Sequence, residues 1–335
     1  MEQMRRRALE RLKRCPRMGW VSPSPLTSHE LRDPQSGRAI KLSVKRDGLL
    51  HGPSDALYGG NKLRKLDLSL PPLLQAQPKA LYTVGGEGSH HALATSFAAR
   101  ALGLESHLAL SAQVHSAHSA EVFALSRALA TSVTLLSAHD EASFHRELSA
   151  WRARQEGAWL PTGGSSVEAV LGMVEGALEL SEQLSCLDPP EPERIYIATA
   201  SGSSLAGLLL GLSIAWAGRG GAPFVIGVRV APSRLINGRK VRRLYRAAAA
   251  RLDWGEPPPA FKLDDSQLGA GYGHPSPMDL ALDQLSEGLG VPLDQSYTAK
   301  ALGALLCAER RELSGASLLW HSLDERAPKL ISPLV

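Results

Sequence analysis

Only three cysteines occur in 335 residues. Cys15, Cys186 and Cys307 are far apart and in none of the usual metal spacings. Their scarcity excludes a disulfide framework and predicts a chain suited to a reducing cytoplasm. No uninterrupted apolar run reaches the ~18 to 20 residues of a membrane span, and the arginine-studded first 17 residues lack the apolar centre of an export signal. Aromatics make up 5% of the chain, and none is interleaved with the basic runs Arg5-Arg6-Arg7 and Arg239-Lys240-Val241-Arg242-Arg243. The net charge of +4 therefore predicts solvated helix faces and no nucleic-acid partner, since base stacking needs aromatic platforms among the cations. There is no Gly-Lys-Ser/Thr nucleotide loop, and residues 202–207 are no dinucleotide fingerprint. Of His115, His118, His139 and His145, the first two lie in a polar loop with no acid spaced with them, so the set reads as surface histidines and no metal is expected.

What remains is an ordinary globular composition, 44% hydrophobic, long enough to bury a large core in two lobes. Residues 1–20 read as an exposed helical arm ended by Pro16 and Gly19. Residues 39–44 alternate as a strand. From Lys79 a βα rhythm sets in, with strands at 80–84, 106–110 and 132–136 between helices at 90–102, 120–130 and 141–155. Parallel neighbours need such crossovers, so a doubly wound parallel sheet is predicted. A turn at 161–166 leads to a long helix over 167–184, and the proline-rich 189–193 is a surface linker. Strands at 194–200, 223–231 and 317–320 then alternate with helices at 205–217, 234–252, 278–287 and 297–307. The expected fold is α/β with two lobes, each an open, mostly parallel twisted sheet flanked by helices. Residues 1–55 and 161–335 form the larger lobe and 56–160 the smaller.

The stretch that carries the chemistry is Tyr58-Gly59-Gly60-Asn61-Lys62-Leu63-Arg64-Lys65-Leu66. Leu63, Leu66 and Leu70 recur at helical spacing, the two glycines permit close backbone approach, and Asn61 is the predicted helix cap. Lys62 then sits at the positive end of a helix dipole, which disfavours its ammonium form and favours the nucleophilic amine. Other motifs follow the same pattern in order: Lys45-Arg46-Asp47, Thr83-Val84-Gly85-Gly86 with Ser89-His90-His91, Gly163-Gly164-Ser165, Gly271-Tyr272-Gly273 and Tyr297-Thr298-Ala299-Lys300. Together they resemble the D-cysteine desulfhydrase and 1-aminocyclopropane-1-carboxylate deaminase group of pyridoxal-phosphate enzymes, of the tryptophan synthase β-like fold. The resemblance spans roughly residues 25–322.

That resemblance implies pyridoxal 5'-phosphate as cofactor, a small amino acid as substrate and a homodimer. It makes Lys62 the amine that takes the cofactor's aldehyde and moves protons. Ser89, Tyr272 and Tyr297 would handle the substrate, with His91, Gly164 and Ser165 lining its site. Ser201, Gly202, Ser203 and Ser204 form a strand-to-helix turn whose N–H groups suit a phosphate. Ala200 and Ser203 stand where the family has glycine, and a left-handed conformation at either would cost ~1 to 2 kcal/mol. His90 replaces an asparagine that bonds the cofactor's phenolic oxygen, and its imidazole is larger and titrates near neutrality. Thr298 aligns with the residue that meets the pyridine nitrogen. A neutral hydroxyl there makes the ring a weaker electron sink and favours β-elimination over opening a cyclopropane. The family's Lys-Arg-Asp-Asp is Lys45-Arg46-Asp47-Gly48 here, and its closing His-Thr-Gly-Gly is His321-Ser322-Leu323-Asp324. The expected reaction is β-elimination with release of ammonia and a keto acid. Two rivals stay open: a cyclopropane deaminase or biosynthetic variant, and a non-catalytic paralogue that binds a ligand or partner.

Overall fold

The computed structural model describes residues 1–335 except 51, 53–56, 115, 139, 188–190, 275, 277–280, 312–314 and 327–335. In chain order the elements are α1 (Glu2–Lys13), β1 (Leu26–Arg32), β2 (Ala39–Arg46), α2 (Asn61–Leu74), β3 (Ala80–Gly86), α3 (His90–Ala101), β4 (Glu105–Ser111), α4 (Ala117–Leu129), β5 (Ser132–Leu136), α5 (Glu141–Arg152) and β6 (Ala158–Leu160). There follow α6 (Val167–Leu187), β7 (Arg194–Thr199), α7 (Ser203–Ala215), β8 (Phe224–Arg229), α8 (Gly238–Leu252), β9 (Phe261–Asp264), α9 (Leu282–Leu289), α10 (Thr298–Arg310) and β10 (Ser317–His321).

The strands make two sheets. One has the order β5-β4-β3-β6 and is wholly parallel. The other has the order β1-β2-β10-β7-β8-β9, with only the β1–β2 pair antiparallel. The central strands β7 and β10 are buried along almost their whole length, as continuous apolar runs between two layers of helices must be. On one face of the larger sheet pack α1, α6, α7 and α8, and on the other α9 and α10.

Strands β1, β6 and β9 have no counterpart in the sequence reading, and all three are sheet edges. An edge strand is covered on fewer sides, so Leu26–Arg32 and Phe261–Asp264 carry no unbroken apolar pattern to betray them. The N-terminal helix is also more than an exposed arm: Ala8 and Leu12 are buried in the core beneath it. The start of the helix predicted at 278–287 lies outside the described residues, and α9 begins at Leu282.

Helix α2, which follows the two glycines, is pressed against α6 at a pair of glycines. A Cβ on Gly172 would stand 2.0 Å from the Arg64 carbonyl oxygen, and one on Gly176 3.1 Å from Arg64 Nε. That approach sinks Arg64 into a buried ionic cluster. Its Nε and one terminal nitrogen donate to Asp47 Oδ1 at 2.9 and 2.7 Å, and its other terminal nitrogen donates to Glu179 Oε2 at 3.1 Å. Trp320 Nε1 donates to the second Asp47 oxygen at 2.8 Å, and Lys45 Nζ donates to Glu179 and to the Ser24 carbonyl. Residues from β2, α2, α6 and β10 thus lock the lysine-bearing helix onto the larger sheet.

Candidate active site

Helix α2 starts at a glycine. Gly60 is the residue before the first helical turn, with φ 69°, and no side chain caps the helix. Asn61 is therefore the first helical residue and not the cap that its type suggests. The two glycines meet the chain itself. A Cβ on Gly59 would lie 2.0 Å from the Leu50 carbonyl oxygen, and one on Gly60 2.6 Å from that of Ser322. Gly59 N donates to Asp324 Oδ2 at 2.6 Å and Asn61 N to the Ser322 carbonyl at 3.1 Å. The segment after β10 is thereby stitched to the opening of α2.

Lys62 is directed inward. Its Nζ donates to Asn61 Oδ1 at 2.7 Å and stands 5.6 Å from the centre of the Tyr297 ring. Asn61 Nδ2 in turn lies 3.4 Å from Ser204 Oγ in the turn between β7 and α7. Burial lowers the Lys62 amine to about 8, against a smaller opposing pull from Asp294. One helical turn on, Lys65 is buried where Lys62 is half-buried, with Nζ 3.3 Å from the Gly163 carbonyl oxygen, and desolvation pushes it well below the ordinary lysine range. Ser201 Oγ meets the same carbonyl at 3.5 Å.

The turn at 201–204 is formed without the strain that its sequence threatens. Only Gly202 is left-handed, at φ 98°, while Ala200 and Ser203 keep negative φ. The neighbouring loop, Gly163-Gly164-Ser165, comes from the end of the smaller sheet. Gly163 and Gly164 both have positive φ, and Ser165 Oγ lies 3.4 Å from both the Ser201 carbonyl and Ser203 Oγ. A Cβ on Gly164 would stand 2.9 Å from His91 Cε1. Burial, then Lys65 and Lys62, lowers His91 to about 3, so it is neutral. Its ring nitrogens approach only the Pro161 carbonyl and make no well-formed hydrogen bond among the described residues.

Ser89 precedes α3 and accepts from Ala92 N at 3.3 Å, which leaves its hydroxyl proton available. His90 departs from expectation. Both its nitrogens are engaged, Nδ1 with the Tyr58 hydroxyl at 2.6 Å and Nε2 with His118 Nε2 at 2.9 Å, so no donor is left for a cofactor oxygen in this arrangement. Burial, then His118, lowers it to about 3. Tyr297 stands edge-on to His90 with ring centres 6.1 Å apart, and its hydroxyl meets that of Tyr272 at 2.9 Å. Burial raises both phenols above the ordinary range.

Thr298 is the other departure. It is fully buried, its Oγ1 donating to Asp294 Oδ2 at 2.7 Å and accepting from Asp294 N at 2.8 Å. Tyr297 N and Thr298 N also donate to the Asp294 carboxylate, at 2.7 and 3.0 Å. Burial works against the Asp294 charge, but the histidines beside it and the Thr298 bonds hold its pKa below the usual range. As placed, the threonine serves the start of α10 rather than an open face of the site.

The structure thus gathers Lys62, Lys65, His91, Tyr272, Tyr297, Gly164, Ser165 and the 201–204 turn where the two sheets meet, with Ser89 set beside His90 at the start of α3. Three participants escaped the sequence reading. Lys65 was legible, because three residues after Lys62 is the same helix face. Asp294, four residues before Thr298, has the form of an acidic residue ahead of a helix. His118, read from the sequence as a surface histidine, is instead half-buried and bonded to His90, because the helices α3 and α4 that carry them pack together. The polar groups suit pyridoxal phosphate. One half-buried and one buried amine, a small-residue turn at a helix N-terminus and an imidazole without a good partner among the described residues would supply an imine, a phosphate cradle and further polar contacts.

These features define an α/β enzyme built around a half-buried, weakly basic lysine between two mostly parallel sheets. A family described as pyridoxal-phosphate dependent enzyme matches residues 19–322, and the chain belongs to that family. The D-cysteine desulfhydrase of Klebsiella pneumoniae subsp. pneumoniae is 30% identical over 308 residues, covering 89% of this chain and 90% of the relative. That of Salmonella paratyphi B is 29% identical over 328 residues, 94% and 95% of the two chains. The crystal structure of an ACC deaminase homologue superposes with a TM-score of 0.76 at 25% identity, covering 98% of this chain and 99% of the other.

Proposed function

We propose that this enzyme uses pyridoxal 5'-phosphate to eliminate the β-substituent of a small amino acid, D-cysteine first among candidates, releasing ammonia and a keto acid. The observation that carries the reading is the Lys62 amine, half-buried, lowered to about 8 by desolvation and set against the Tyr297 ring beside the Ser201–Ser204 turn. Once bound, the cofactor supplies an electron sink for charge developing at the substrate's α-carbon. Lys62 Nζ binds the group and moves the α-proton, a task that a pKa near the working pH suits. Ser201, Ser203, Ser204 and the N–H groups that follow Gly202 receive the phosphate, with Lys65 as its counter-charge. A dianion there would restore the Lys65 ammonium, because a neighbouring opposite charge favours the charged form.

Ser89 offers its free proton to the substrate carboxylate, and His91, Gly164 and Ser165 shape the pocket around it. The Tyr272–Tyr297 hydroxyl pair spends one proton on itself, which leaves a second for the departing group. Thr298 would contact the ring nitrogen only through its remaining lone pair, with the Asp294 carboxylate behind it. His90 contributes its ring edge in place of a hydrogen bond. We keep the lobe division at 55/56 and 160/161, supported by β3 to β6 forming a sheet of their own, with α2 of the smaller lobe anchored on the larger sheet. We read the protein further as a cytoplasmic homodimer, a reading supported by its free cysteines and by its family.

The test is spectroscopic and then chemical. The purified protein with added cofactor should be yellow, borohydride should fix the cofactor to Lys62, and Lys62→Ala should be colourless. Keto-acid and ammonia assays over D-cysteine, L-cysteine, D-serine and 1-aminocyclopropane-1-carboxylate then separate desulfhydrase from deaminase. A wild-type protein that stays colourless defeats the reading.

A further inference from the structure

His90, His118 and Asp294 come from the first turn of α3, the first turn of α4 and the loop before α10. Their potential ligand atoms all lie within 4.8 Å of one another. His90 Nε2 and His118 Nε2 face each other at 2.9 Å. In a tetrahedral zinc site with Zn–N bonds of ~2.05 Å, two ligand nitrogens stand about 3.3 Å apart, so a separation by about 0.4 Å would admit an ion between the rings.

The outer contacts are already in place. Metal-binding imidazoles are oriented by a partner on the second ring nitrogen, and His90 Nδ1 has one in the Tyr58 hydroxyl at 2.6 Å. Asp294 is fixed by donors on both oxygens, with Tyr297 N alone on Oδ1, so a lone pair of that oxygen stays available. His90 and Asp294 are buried while His118 is half-exposed, which gives an ion a route in from solvent and leaves water a coordination position.

We propose that His90 Nε2, His118 Nε2 and Asp294 form a binding site for a divalent transition metal of the zinc type. Two imidazoles and one carboxylate are the ligand set that such ions prefer over magnesium or calcium, which seek oxygen. The site lies beside the proposed cofactor pocket but needs none of the proposed chemistry, and its test reads metal, not turnover.

Cofactor-loaded protein is equilibrated with zinc chloride, freed of loose metal by gel filtration and analysed for zinc, alongside His118→Phe and His90→Asn. The comparison between proteins is read, because exposed thiols such as Cys186 also take zinc. Wild type should hold one more equivalent than either variant, with an apparent affinity at least about 100-fold tighter, since even outer contacts of metal sites are worth 10- to 100-fold. Cobalt(II) should give visible d–d bands in wild type alone. Circular dichroism of the variants checks that both are folded. Equal metal content in all three folded proteins, or a wild type without the cobalt bands, overturns the proposal. Neither result bears on whether the enzyme performs the elimination.

Discussion

Lys62 must be uncharged to act as a nucleophile, and its surroundings set the pH at which it becomes so. Its folded pKa is lowered to about 8 from the ordinary 10.5, with desolvation as the main cause. The fraction of neutral amine in the apoenzyme therefore climbs as pH rises through about 8 and levels off above it. The rate of cofactor capture, followed by the growth of the yellow band after mixing, should show that midpoint. A midpoint near 10 would mean a solvated lysine. Lys62→Ala should lose at least about 10²- to 10⁴-fold in turnover, the usual worth of a positioned acid–base group. Lys65→Met removes a charge-assisted contact worth about 1.5 to 3 kcal/mol, so cofactor affinity measured by equilibrium dialysis should fall by about 10- to 100-fold.

Helix α2 presents its lysines correctly only because both its ends of contact are built. Arg64 is 1% exposed and Asp47 0%. Removing one partner of such a pair strands a buried charge, so Arg64→Ala should cost about 3 to 5 kcal/mol in urea unfolding. Asp47 is held below the usual carboxylate range; burial opposes its charge, but Arg64 and Lys45 beside it prevail. A depressed carboxyl stabilises the fold above its unfolded pKa, and the contribution is lost as pH falls through the folded value. This cluster should thus weaken only below about pH 4.

The departures at Gly48 and at Leu323-Asp324 prove to be one feature of this element pair. A Cβ on Gly48 would stand 2.3 Å from the Leu323 carbonyl oxygen and 2.5 Å from the His321 ring, while Asp324 accepts from Gly59 N. Restoring aspartate at 48 should therefore destabilise the protein by about 1 to 3 kcal/mol, as overpacking does. A Gly48→Asp variant with unchanged Tm would sink this account.

At the scale of the molecule, the proposed site draws on both sheets, the smaller one through Ser89, His91 and the 163–165 loop, the larger through the 201–204 turn and Tyr297. A ligand that bridges them stabilises the folded state by mass action, about 2.7 kcal/mol at a concentration a hundred times its Kd. Cofactor should raise the wild-type Tm, and Ser203→Pro, which removes an N–H at the helix opening, should abolish most of that rise. Light scattering on the same samples tests the homodimer. A mass of one chain at micromolar concentration rejects it.

Much of this was written locally. Two glycines before Lys62, the βα rhythm after Lys79 and small residues at 201–204 depend on short-range rules of turns and periodicity, so the parallel architecture and the lysine could be read from the chain alone. The edge strands β1, β6 and β9 could not, because partial exposure leaves no periodic apolar signal. Nor could the pairing of His90 with His118, the commitment of Thr298 to Asp294, or the fit of Gly48 against Leu323. The first and last join residues 28 and 275 positions apart, through hydrogen bonds and packing that exist only after the sheets have brought them together, while Thr298 meets Asp294 at the start of its own helix. Local sequence settled which groups were supplied, and tertiary contact settled which of them remained free to act.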